Sequence, residues 1–83
     1  MIILQKDFNF TNYRTIKIYF QKFKKDGKCV VCIPFLSWSV EYSSKDDISQ
    51  IYEVLTKSLD FHLYQGNTDK LAKFIISMTQ QCT

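Results

Sequence analysis

Residues 16–36 read Ile16-Lys-Ile-Tyr-Phe-Gln-Lys-Phe-Lys-Lys-Asp-Gly-Lys-Cys-Val-Val-Cys-Ile-Pro-Phe-Leu36. Asp26-Gly27 stands between two runs rich in aromatic and β-branched residues. Asp-Gly in that setting predicts a two-residue type I′ hairpin turn, because both central positions need positive φ. Such a turn pairs Lys24 with Cys29, Phe23 with Val30, Phe20 with Ile33 and Ile18 with Phe35. One face of the hairpin then carries Ile16, Ile18, Phe20, Val31, Ile33 and Phe35. The other carries Lys17, Tyr19, Gln21, Phe23 and Lys25 opposite Lys28, Val30, Cys32 and Pro34. The first is the better core face, and a one-residue slip would exchange the two.

Pro34 cannot donate to a ladder, so it marks an edge, a bulge or a strand end. The apolar parity changes there. Before it, odd positions face the core; after it, Trp38, Val40 and Tyr42 alternate with Ser37, Ser39 and Glu41. A short turn or bulge at 34–37 followed by a third strand, about 38–43, accounts for the change. Ser43-Ser44-Lys45-Asp46-Asp47 then reads as a helix start, with Asp46 or Ser44 as the cap. Ile48, Ile51, Tyr52, Leu55, Leu59 and either His62 or Leu63 recur at helical spacing, with Glu53 and Lys57 as an i,i+4 pair on the other side. Gly66 is expected to end this helix, over 46–65, as its C′ glycine. Asn67 or Thr68 caps a second helix, 68–80, whose stripe is Leu71, Phe74, Ile75 and Met78, with a fraying tail from Gln80. At the other end, Ile2-Ile3-Leu4 reads as a candidate fourth strand, whereas Asp7, Asn9 and Asn12 read as loop. The fold class is therefore α+β: a three- or four-stranded antiparallel sheet with two helices on one face, in the order (β)βββαα.

With 83 residues the chain makes one domain. Apolar residues at 46% and charged residues at 23% exclude a disordered or linker-type chain. Residues 1–45 hold eight basic side chains against three acidic, and residues 46–83 three against five, so the net +3 is +5 on the strand half and −2 on the helix half. The longest nearly apolar run, Cys29 to Leu36, is too short to span a bilayer, and the N-terminus turns polar at Gln5, unlike a signal peptide. Three cysteines without a secretory signal predict a reducing cytoplasm and reduced thiols. The sequon at Asn9-Phe10-Thr11 is then a chance match. Ten lysines against Arg14 alone, with plentiful Ile, Phe and Tyr, point to an AT-rich genome.

Catalytic and metal chemistry finds little support. Gly27 and Gly66 stand apart, so there is no phosphate-cradling loop. Cys29 and Cys32 have C-x-x-C spacing, but in a strand residues three apart point to opposite faces, and Cys82 is distant. His62 has no second histidine to share a metal and no evident nucleophile. Asp46, Asp47 and Glu53 suit a helix start rather than an acid–base pair. No cofactor or metal is expected.

The second hairpin face is the candidate site. It interleaves Lys17, Tyr19, Phe23, Lys25 and Lys28. Cations with rings between them bind single-stranded nucleic acid; the same apolar content also suits cover by a helix, a partner protein or a second subunit. Trp38 and Tyr42 join the site because aromatics anchor interfaces. The competing reading of Trp38 is sheet core.

The stretch from Thr15 to Tyr64 resembles HicB-like antitoxin domains. The likeness lies in a strand, an Asp-Gly turn, and a strand entering Pro-x-Leu at Pro34 and Leu36, followed by a further strand and a capped helix. The glycine that follows Pro-x-Leu in that family is serine or tryptophan here, and Ser44 stands at the glycine before the helix. The resemblance implies a degenerate ribonuclease-H-like domain that is no enzyme and covers the active surface of a ribonuclease toxin. The expectation is therefore a non-enzymatic protein-binding module, antitoxin-like or inhibitor-like, cytoplasmic and phage- or plasmid-encoded. Its partner would be a toxin or other target enzyme, with a homodimer open and no membrane. The alternative is a small RNA- or single-stranded-DNA-binding domain using the same lysines.

Overall fold

The computed structural model describes residues 2–11, 13–62, 64 and 66–81. Four strands, β1 (Ile2–Thr11), β2 (Arg14–Phe23), β3 (Lys28–Ile33) and β4 (Trp38–Ser43), are followed by helices α1 (Ile48–Phe61) and α2 (Thr68–Gln81). The strands form one antiparallel meander, β1-β2-β3-β4. The order is ββββαα.

Alternation within the strands sorts the side chains. Ile16, Ile18 and Phe20 of β2, Val31 and Ile33 of β3, and Trp38 and Tyr42 of β4 are buried in one cluster with Ile51, Leu55 and Leu59 of α1 and Leu71, Ile75 and Met78 of α2. Each such aliphatic side chain contributes about 1.5–3 kcal/mol by leaving water, which is what holds the helices on this face. Two hydroxyls tie the helices to β4. Trp38 Nε1–H donates to Ser58 Oγ at 2.9 Å. Thr79 Oγ1–H donates to the Ile75 carbonyl at 3.0 Å, so in the 2.6 Å contact with Tyr42 the tyrosine hydroxyl is the donor.

The hairpin turn differs from the expected one. The observed pairs are Phe23 with Lys28, Lys22 with Cys29 and Phe20 with Val31. Only Gly27 takes positive φ, at 71°, and Asp26 does not, so the type I′ geometry is not met. Residues 24–27 form a longer turn instead. Gly27 N–H donates to the Phe23 carbonyl at 2.9 Å, and the Asp26 carboxylate accepts from Lys28 N–H at 3.1 Å. The partner of each residue moves by two positions, an even step, so both faces keep their expected members. The exceptions on the open face are Lys25, in the turn, and Pro34, in the segment that follows β3; the exception on the core face is Phe35. It was expected on the core face, but Pro34 ends β3 and a 3₁₀ turn, Pro34–Leu36, leaves Phe35 50% exposed. Ser37 then takes the left-handed conformation (φ 52°), and the chain re-enters the sheet with its parity changed.

The N-terminal stretch is a full strand and not a short strand with a loop. Asp7 pairs with Lys17 and Asn9 with Thr15, and Thr15 Oγ1 donates to Asn9 Oδ1 at 3.3 Å. Both polar side chains are exposed while Phe8 is buried against Phe74, ring centroids 5.1 Å apart. Pairing and packing thus override the loop preference of Asp and Asn. The expected loop residue Asn12 lies outside the described residues.

Helix α1 is shorter than expected. Its N-cap is Asp47, not Asp46 or Ser44, because Gln50 at the third helical position accepts from Asp47 N–H at 3.3 Å and completes a capping box. It ends at Phe61 with His62 as C-cap. Gly66 is therefore not its C′ residue. A Cβ there would lie 2.6 Å from Tyr64 Cζ and 3.0 Å from Phe10 Cε1, so any larger residue has to push these two rings aside. The expected apolar position Leu63 lies outside the described residues. Asn67 Oδ1 accepts from Lys70 N–H at 3.0 Å and caps α2, which stays helical through Gln81; Cys82 and Thr83 lie outside the described residues.

Candidate docking surface

With both helices on one side, the other side of the sheet is open. The strand register writes it in rows. Gln5, Tyr19, Cys32 and Ser39 form one row. Ile3, Gln21, Val30 and Glu41 form the next, and Phe23, Lys28 and Ser43 the one beyond. The apolar members Tyr19, Phe23, Val30 and Cys32 therefore sit together on the two inner strands. Gln5, Asp7, Ser39 and Glu41 lie on the outer strands, where Ile3 is the apolar exposed member among the described residues, while Lys17, Gln21 and Lys28 stand beside the apolar members on the inner strands. Apolar side chains interrupted by few polar ones and flanked by charged ones are the anatomy of a protein interface.

The charges of this face are matched across strands. Lys28 Nζ lies 2.9 Å from Glu41 Oε1. Its pKa is raised above the usual lysine value, first by that hydrogen bond and then by the carboxylate's charge. Lys17 lies opposite Asp7 in the β1–β2 register. The strands contribute two lysines and two acids to the open face, so it is formally neutral even though the chain carries +3.

Of the seven residues singled out in the sequence, Lys17, Tyr19, Phe23 and Lys28 share this face, and Lys25 lies exposed in the adjoining turn. Trp38 and Tyr42 do not join them. They are 4% and 6% exposed, on the opposite side of the sheet and hydrogen-bonded to the helices. The parity change after Pro34 sends even-numbered residues of β4 to the core, which removes both from any contact surface. Sequence reasoning missed Ile3 and underrated Val30 and Cys32 as members of the face. Strand alternation from Ile3 onward carried that signal.

The other candidate groups are engaged in the fold. Cys29 is buried on the core side, its thiol 3.8 Å from the Gly27 carbonyl, while Cys32 is on the open side. His62 Nε2 contacts the Leu36 carbonyl at 2.6 Å, tying the end of α1 to the 3₁₀ turn. Glu53 pairs with Lys57 at 2.5 Å. Among the described residues no group of three or more His, Cys, Asp or Glu side chains could hold a metal ion, and no helix is long and apolar enough to cross a membrane.

Two further features have no local sequence signal. At the β1–β2 end, the Phe10 ring meets Phe35 at 5.9 Å and Tyr64 at 5.7 Å, and the Arg14 guanidinium stacks 4.8 Å over Phe35. Burial without a hydrogen-bond partner raises the pKa of the Tyr64 hydroxyl. A groove between the two helices is lined by Ile48, Ser49, Tyr52, Asp69, Lys73 and Ile76, and in its lining Tyr52 O–H donates to Asp69 at 2.5 Å.

Fold and surface together define a small α+β domain: a four-stranded meander backed by a helical pair, with one sheet face uncovered. The chain belongs to the YueH-like protein family, whose model matches residues 2–81. This corrects the HicB-like resemblance, which rested on Thr15 to Tyr64 and left the first strand without a counterpart; the YueH-like match takes in that strand and both helices. No curated protein matches the chain, and no solved structure does.

Proposed function

We propose that this YueH-like chain is a non-enzymatic protein-binding module of the cytoplasm that docks through the open face of its sheet. One observation carries the reading: the apolar members Tyr19, Phe23, Val30 and Cys32 lie together on the inner strands of a formally neutral face. Charge-depleted, aromatic-bearing centres favour protein partners. A nucleic acid requires cations free to neutralise phosphates and release counterions. Here Lys28 is held by Glu41 and Lys17 faces Asp7, so two of the three interleaved lysines have a carboxylate beside them in place of a phosphate.

The test uses Cys32 as a reporter at the centre of the face. Maleimide labelling of Cys32 is followed by peptide mass spectrometry in intact producing cells and in the purified chain at high dilution. Docking slows labelling in cells by about tenfold or more, as expected for a site reached only through dissociation. Equal rates in both settings would overturn the reading. So would protection that disappears on nuclease treatment, which would move the function to nucleic acid.

A further inference from the structure

We infer that the occupant of the open face is a second copy of this chain, packed sheet against sheet about a two-fold axis. This rests on the docking reading above and adds the partner. The first argument is charge. A two-fold contact sets a patch on itself, so a patch with net charge repels its copy. The whole chain carries +3, yet this face is neutral because Glu41 and Asp7, from the two outer strands, answer Lys28 and Lys17 of the inner ones. The neutrality is local to the face.

The second argument is size. Four strands spaced about 4.8 Å apart and six to ten residues long give a face of about 500 Å² in projection. Two copies then bury about 1,000 Å² or more, the threshold for a specific contact. The third argument concerns the edges, the other route by which sheets self-associate. Edge strand β1 carries Lys6 on its helix side, half-buried between Leu4 and Phe8. An inward lysine of this kind discourages strand addition. The other edge, β4, is only six residues long. Face-to-face packing is the route the sequence leaves open.

The test is light scattering and sedimentation equilibrium on the reduced full chain over a concentration series. A dimer that dissociates on dilution is expected. Tyr19→Asp, at the apolar centre, raises the dimer Kd by at least about tenfold. Glu41→Lys, which makes the face net positive, also raises it, and added salt partly restores it. Circular dichroism checks that both variants are folded. The wild-type chain supplies a measurement that needs no variant: the Cys32 labelling rate falls as the dimer forms. A chain that stays monomeric at all concentrations overturns the inference. If Cys32 is then still protected in cells, docking stands with a different protein; if it is not, docking falls too. A dimer that leaves Cys32 labelling and both variants unaffected uses another surface and overturns the inference.

Discussion

Replacing Ser58 by alanine isolates one buried contact that joins helix to sheet. The Trp38 indole N–H donates to Ser58 Oγ at 2.9 Å, and the tryptophan is 4% exposed. Removing the acceptor strands a desolvated donor, which costs about 1–2 kcal/mol. Alanine is the better helix former inside α1 and returns about 0.5 kcal/mol. The net loss is about 1 kcal/mol. In a chain of 83 residues this lowers Tm by about 4–8 °C. With an m-value of about 1–1.5 kcal/mol/M, the urea midpoint falls by about 0.7–1 M. Trp38 is the single tryptophan, so its emission reports unfolding directly. It should be blue-shifted and poorly quenched by iodide in the native state. Trp38→Phe removes the donor and leaves the half-buried Ser58 hydroxyl able to turn to water. In that background Ser58→Ala should cost nothing or stabilise slightly, read by circular dichroism. A cost that is equal in both backgrounds would refute the bond. Iodide quenching as strong as for an exposed indole would refute the core placement of Trp38.

Gly27→Ala should destabilise by about 1–2 kcal/mol, because alanine must hold the φ of 71° seen at the hairpin turn. Its Cβ also lies 3.1 Å from Ser44 Oγ. Gly27→Asn, which tolerates that conformation, should recover most of the loss in the same urea titration; equal losses would mean the turn is not left-handed at 27. The Asp69 carboxyl is held below its usual range by the Tyr52 hydrogen bond first and by Lys73 second. Its stabilising effect is therefore full above the ordinary value of 3.8 and disappears as pH falls through the lowered one. Stability curves of wild type and Asp69→Asn should converge below that range, and a gap that stays constant into acid would contradict the pairing.

Much of the fold was legible because it depends on local chemistry and simple periods. A period of two in residues 16–20 and 31–33, with a turn residue between them, is enough to put Ile16, Ile18, Phe20, Val31 and Ile33 on one face. It survives an error in turn type because the shift was even. Pro34 marked the parity change, and helical spacing marked both helices. The membership of the candidate site was partly legible for the same reason, since Lys17, Tyr19, Phe23 and Lys28 follow from hairpin alternation alone.

What required the tertiary structure was everything set by elements distant in the chain. Asp7 and Asn9 have loop propensities, and only pairing with β2 and the burial of Phe8 make that stretch a strand. Trp38 and Tyr42 are amphipathic aromatics that suit an interface or a core, and Ser58 and Thr79, twenty and thirty-seven residues away, decide for the core. For the proposed docking face, a run of lysines in one hairpin reads as a basic surface until β1 and β4 add Asp7 and Glu41 beside it. Alternation along one strand is encoded in that strand. The charge of a sheet face is a sum over strands, and only the fold says which residues enter it.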